Sequence, residues 1–273
     1  MITVSFRDQN KSQNKKKMPW NPEIYNKFKD IRYQPFYDLA NFIQPEKGMK
    51  AIDLGCGTGE QTAILANKFT EADFLGVDSS AEMLEQSKAL ETNNLHFRKS
   101  TTEETLESGE KWDLIFSNAA LQWSDDHEVL FTKLLEQLNP KGQFAVQMPV
   151  QPENKLNKIL LELVQEEPFV SYLKGFKRES PVLSIDEYAQ ILFDGGLENL
   201  EIQQKVYPII AKDHETLFSF ISGSALIPYT ERLEGEEKVV FIETYKKRIA
   251  EGFPKLPAIY SFKRLLLYGR KTE

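Results

Sequence analysis

The sequence predicts an α/β fold, a doubly wound and mostly parallel sheet, on three observations. Short apolar runs alternate with stretches of helical length along most of the 273 residues. The first run ends in a loop carrying Gly55, Gly57 and Gly59, which opens a helix. The second ends in an acid, Asp78, about twenty residues past that loop. Strands separated by helices of this length pair in parallel through crossovers, and the helices cover both faces.

Taken in order, residues 1–17 are polar, contain Lys15, Lys16 and Lys17, and read as a disordered, solvated tail. A helix is expected over 33–42 and the first strand over 50–54, where Ala51, Ile52 and Leu54 are apolar. Helix 61–68 follows, then strand 73–77 and helix 81–89, with Ser79 or Ser80 as its cap. Strands three and four fall at 95–98 and 112–117, and an amphipathic helix at 128–138. The turn Asn139, Pro140, Lys141, Gly142 precedes strand five at 143–147. The alternation resumes with helix 184–193, a stop at Gly195 and Gly196, strand six at 198–207 and a last strand at 264–269. Residues 153–178 and 213–255 are rich in helix formers and aromatics, and they fall on the side where ligands enter an open α/β sheet. They are expected to form a helical cap over the substrate, within one domain spanning 18–273.

Composition narrows the function. A net charge of −7 argues against a nucleic-acid backbone as partner, because such binding needs clustered excess Lys and Arg. No apolar run approaches the ~18 residues of a membrane span, so a cytoplasmic protein without membrane contact is expected. One cysteine, Cys56, excludes an intramolecular disulfide. With no second Cys or His beside it in sequence to activate it, it reads as a small packing residue inside the glycine loop. No cluster of ligating side chains suggests a metal. A monomer or weak dimer is expected.

The glycine loop carries the chemistry. Glycines allow a sharp turn and a close backbone approach to a ligand. An acid at the end of the second strand, Asp78, is placed to accept hydrogen bonds from a ribose diol, so the ligand carries an adenosine-like group. The spacing is GxGxG, without the later glycine of dinucleotide sites, and Asp53 stands two residues before the first glycine. Asp53, Gly55, Gly57 and Gly59 resemble the E/DxGxGxG loop of the class I S-adenosylmethionine (SAM) methyltransferases. That resemblance implies a Rossmann-like, seven-stranded sheet whose last strand is antiparallel beside strand five. It also implies SAM as methyl donor and S-adenosylhomocysteine as product.

Further segments narrow the resemblance. WNPEIYNKF from Trp20, SNAALQW from Ser117 with Asp126 and His127 after it, AVQMP from Ala145, LIPY from Leu226 and the ending at 262–271 are similar to the trans-aconitate methyltransferase family. The likeness runs from Trp20 almost to the C-terminus. Methyltransferases of base amines carry two prolines and an aromatic after the Asn or Asp at the end of strand four, whereas Asn118 is followed by Ala119, Ala120 and Leu121. The implied reaction is methyl transfer onto a carboxylate of a small organic acid. The malonyl carboxyl methyltransferases of biotin synthesis share the loop and an xQW segment, which keeps an acyl-carrier substrate as the alternative. A SAM-binding protein without turnover and a nicotinamide oxidoreductase are the readings from other classes, and the missing glycine weighs against the second.

A carboxylate is ionised at neutral pH and needs no general base, so catalytic residues here should be positioners. Gln122 and Trp123, just past strand four, are expected to donate to the acceptor carboxylate, with His127 as a third candidate donor. Around the cofactor the candidates are Trp20, Tyr25 and Arg32 from the opening segment, with Asp53, Gly55, Cys56, Gly57 and Gly59 from the loop. Asp78, Ser79, Met83 and Asn118 complete that side, and Thr101 aligns with the acid that often binds the adenine amine. The remaining substrate carboxylates call for the guanidinium fork, and Arg178, Arg232 and Arg264 are candidates, joined by Tyr229.

Overall fold

The computed structural model describes residues 29–273, with side chains from Tyr33 onward. Its strands are β1 (Lys50–Leu54), β2 (Asp73–Asp78), β3 (Leu95–Lys99), β4 (Trp112–Asn118), β5 (Leu138–Pro149), β6 (Leu197–Ala211) and β7 (Ala258–Lys271). They form a seven-stranded sheet in the order β3-β2-β1-β4-β5-β7-β6. The first five are parallel, and β7 runs antiparallel between β5 and β6. The order reverses at β1, which pairs with β2 on one side and β4 on the other, so a crevice opens at the C-terminal ends of β1 and β4.

Helices α1 (Lys29–Ala40), α2 (Glu60–Lys68), α3 (Ala81–Ser87), α4 (Thr102–Glu107) and α5 (His127–Glu136) belong to the first half, and α8 (Ile185–Asp194) precedes β6. Because side chains alternate across a strand, neighbours in β4 serve different layers. Leu114 and Phe116 pack with Phe36, Leu39 and Leu65 of α1 and α2. Ile115 packs on the other face with Phe131 and Leu135 of α5 and Tyr188 of α8. Burial of both faces explains why the strand reads as an unbroken apolar run.

Between β5 and α8 lie α6 (Lys155–Leu163) and α7 (Phe169–Tyr172); between β6 and β7 lie α9 (His214–Ser222), α10 (Ile227–Thr230) and α11 (Gly235–Gly252). The two stretches expected to be helical are helical. β6 and β7 are longer than the sequence suggests, because their pairing continues from Tyr207↔Phe262 to Ala211↔Ala258, beyond the last rung with β5. That two-stranded ribbon contributes Ile209, Tyr260 and Phe262 to a third apolar cluster, where they meet Leu160 of α6, Leu217 of α9 and Phe241 of α11. β5 also starts earlier than expected and runs through the predicted turn, with Lys141 in the left-handed region at φ 66°. Among the described residues no helix is long and apolar enough to cross a membrane.

Candidate active site

The loop after β1 is built by backbone conformations that favour glycine. Gly55, Gly57 and Gly59 have φ of 75°, 58° and 77°. At Gly55 a Cβ would lie 2.2 Å from the Cβ of Ala120, so the loop after β4 presses directly on this glycine. At Gly57 a Cβ would meet nothing within 4 Å, which leaves open room beside the backbone for a ligand. Asp78 fastens the loop: one carboxylate oxygen accepts from Gly57 N–H at 2.9 Å and the other from Ser80 N–H at 2.8 Å. A carboxylate offers about four acceptor positions, so roughly two remain for a ligand diol.

From this loop a cleft of about 530 Å³ extends to the third apolar cluster. Gly55, Gly57, Gln61 and Met83 line one end, Asn118, Gln122 and Trp123 the middle, and Phe220, Pro228, Tyr260 and Arg264 the other end. The loop after β4 carries strain where it meets the cleft, since Ala119 sits at φ 57°, a conformation unusual for a residue with a side chain. A smaller pocket adjoins the cleft, lined by Trp123, Arg178 and Tyr229 among others.

A family model described as "Methyltransferase domain" matches residues 45–213. The chain is 38% identical to a trans-aconitate 2-methyltransferase of Deinococcus radiodurans, over 94% of this chain and 100% of that protein. The chain belongs to the trans-aconitate methyltransferase family. A second member, from Variovorax paradoxus, is 28% identical, with 93% of this chain and 96% of that protein covered. In fold, the YcgJ protein of Bacillus subtilis is similar with a TM-score of 0.57 at 18% identity, covering 88% of this chain and 99% of that one. Family membership makes the protein a SAM-dependent methyltransferase, and the residues around the glycine loop fit that cofactor: an open cradle at Gly57 and a pre-fastened Asp78 carboxylate.

Not every site residue expected of a family member reaches the cleft. Asp53 is buried beneath the loop, where it accepts a 2.6 Å hydrogen bond from the Thr62 hydroxyl and ties β1 to α2. Burial raises its carboxyl to about 7, against the opposing Thr62 hydrogen bond, and repulsion from Asp78 adds to the rise. Cys56 lines the cleft, but burial and then the charges of Asp53 and Asp78 push its thiol up, which keeps it a packing residue. Gly59, Asp78 and the exposed Ser79 are outside the cleft lining, Asp78 reaching it only through the hydrogen bond it accepts from Gly57 N–H, and Ser80 is the cap of α3, accepting from Met83 N–H at 3.3 Å. The Thr101 hydroxyl is committed elsewhere: it caps α4 through Glu104 N–H, and Glu104 returns a bond to Thr101 N–H. Thr101 is outside the cleft lining. Trp20 and Tyr25 lie outside the described residues; Arg32 stands in α1, its side chain also outside them.

On the acceptor side the picture also shifts. Gln122 is 4% exposed and lines the cleft, but its Nε2 already donates to Ala119 O at 2.7 Å, leaving Oε1 buried without a partner. It shapes the wall, and the second N–H of the same amide remains for a carboxylate without breaking the bond to Ala119. Trp123 faces the cleft, 42% exposed, with the Arg178 guanidinium 4.6 Å over its ring and Arg178 Nη2 donating to its carbonyl at 3.2 Å. Tyr229 is buried and accepts from Arg178 N–H at 3.1 Å, while Arg232 lies exposed over Phe176, away from the cleft.

His127 is buried outside the cleft lining. His127 Nε2 faces two carbonyls and so carries the ring proton, which leaves Nδ1 to accept from the Tyr188 hydroxyl, itself an acceptor from Leu183 N–H. Nε2–H then donates to Leu121 O at 2.9 Å and Ser124 O at 3.1 Å, the two carbonyls that bracket Gln122 and Trp123. Burial lowers its pKa, against those backbone bonds and the nearby Asp125 and Asp126 charges, and keeps the ring neutral.

Arg264 is 7% exposed, stands over the Phe262 ring and lines the cleft. Its partner Gln147 lies within the AVQMP segment, but nothing in the sequence assigns it or Gln61 a site role.

Proposed function

We propose that the protein transfers the methyl group of SAM to a carboxylate oxygen of trans-aconitate or a near tricarboxylate, giving the methyl ester. The observation that carries this reading is Arg264, a buried guanidinium lining the same cleft as the glycine loop. It is supported by the names of the relatives, which cover the chain almost end to end.

SAM supplies the methyl on a sulfonium, an electrophile that a carboxylate oxygen can displace in line. The C–O bond forms as the C–S bond breaks, the electron pair returns to sulfur, and no proton moves. The chain therefore has to hold, align and dry the reactants, which can lower a barrier by several kcal/mol. Gly55, Gly57 and Asp78 hold the donor end. The Arg264 guanidinium, whose Nη1 also holds Gln147, sets the positive charge that faces an acceptor carboxylate, and Trp123 with Gln122 walls the space between. The helices α6, α7, α9, α10 and α11 act as the cap, with Phe220 and Pro228 shaping the acceptor end.

The test is incubation with methyl-labelled SAM and a panel of small di- and tricarboxylates. Base-labile volatile label is expected with trans-aconitate. No label on any acid while SAM still binds would overturn the reading and favour an acyl-carrier substrate or a binder without turnover.

A further inference from the structure

Four side chains form one hydrogen-bonded line from the acceptor end of the cleft to the glycine loop. Arg264 Nη1 donates to Gln147 Oε1 at 2.8 Å, Gln147 Nε2 to Asn118 Oδ1 at 2.7 Å, and Asn118 Nδ2 to Gln61 Oε1 at 2.8 Å. A guanidinium can only donate. Its presence therefore fixes the orientation of every amide after it: Gln147 must turn its oxygen to Arg264, its NH₂ must face Asn118, and Asn118 must turn its NH₂ to Gln61. Gln61 is left with Nε2 as the atom presented to the cleft it lines, bonded to no described residue. Gln147 itself is 1% exposed and does not line the cleft.

We infer that Gln147 is a positioning residue that transmits the polarity of Arg264 through Asn118 and so makes Gln61 a hydrogen-bond donor at the cofactor end. The assignment rests on the SAM reading above for its ligand. It makes one guanidinium serve both ends of the cleft, directly at the acceptor and through three amides at the donor.

Gln147→Glu tests it. A carboxylate still accepts from Arg264 but has nothing to donate, so Asn118 must invert to donate to it, and Gln61 must invert in turn. An acceptor oxygen then replaces Nε2 at the cofactor end. Loss of one hydrogen bond to a charged group corresponds to about a tenfold or larger rise in Kd. Calorimetry should show a roughly tenfold rise in SAM Kd for Gln147→Glu and for Gln61→Ala, and again only roughly tenfold for the double variant. A Gln147→Glu Kd within about twofold of wild type, or a double variant near the ~100-fold product, overturns the relay. A second readout needs no ligand. The side-chain NH₂ signals of Asn118 and Gln61, the latter assigned by its loss in Gln61→Ala, should shift in Gln147→Glu. Unshifted signals overturn the relay whatever binds, whereas failure of wild-type protein to bind SAM with shifted signals overturns the cofactor reading alone.

Discussion

Asp53 is a carboxylate used for its place in the structure. Its two neighbours of consequence are the Thr62 hydroxyl, which stabilises the charge, and Asp78, which opposes it. Burial outweighs the hydroxyl and leaves the folded pKa at about 7, above the ordinary value of 3.8. The folded state thus holds this proton more tightly than the unfolded chain. The associated stability is fully present below about pH 4 and is withdrawn as pH rises through about 7. Asp53→Asn keeps an oxygen for Thr62 and cannot ionise. Wild-type melting temperature should fall between about pH 5 and about pH 8 relative to Asp53→Asn. Parallel melting curves for the two proteins across that range would mean that Asp53 is solvated in solution. Asp78 shows the contrasting use: it sits half-buried at the loop, and its bonds to Gly57 and Ser80 fix the carboxylate before any ligand arrives.

At the scale of elements, the short 3₁₀ turn Leu121–Trp123 decides the middle of the cleft, and it is held from behind by α5. His127 opens α5, and the two bonds from its Nε2 bracket that turn. His127→Ala should lower the melting temperature by several degrees and reduce turnover by one constant factor between about pH 6.5 and pH 9, because a positioning ring takes no part in proton transfer. A loss that grows toward one end of the range would instead make His127 an acid or base. The element also shows what sequence reading reaches. Asp126 and His127 were visible as a pair near the site, but only the packing of Tyr188 from a helix 61 residues later reveals that the ring points away from it. Thr101 is the opposite case, since Thr101 and Glu104 spell a capping box in the sequence itself, and that box opens α4. The strands and the glycine loop were legible because periodicity and backbone conformation are local. The Arg264–Gln147–Asn118–Gln61 line was not, because it joins four elements that only the sheet order brings together.

For the whole molecule, three apolar clusters divide the labour. Two lie on opposite faces of the sheet and fix the glycine loop and the ends of β1 and β4. The third stands on the β6–β7 ribbon and fixes the helices at the acceptor end. Its residues are distinct from those of the other two, so damage to it should be felt at one end of the cleft. Phe241 of α11 tests that division. It is fully buried, with its ring 5.4 Å from Phe169 and 6.3 Å from Tyr229. Phe241→Ala removes a core aromatic, a change that costs about 3–5 kcal/mol where the site cannot collapse. The cap helices should then loosen against the ribbon that carries Tyr260, Phe262 and Arg264. Misplacing the acceptor by even ~1 Å is expensive, so its KM should rise roughly tenfold or more. The SAM Kd should stay within about twofold, because Arg264 lies outside the third cluster and is held to β5 by its rung with Pro149 and its bond to Gln147. Steady-state kinetics with both substrates, beside calorimetry for SAM, separates the cases: an equal loss at both ends would mean that the three clusters unfold as one cooperative unit and that the acceptor end has no independence from the loop.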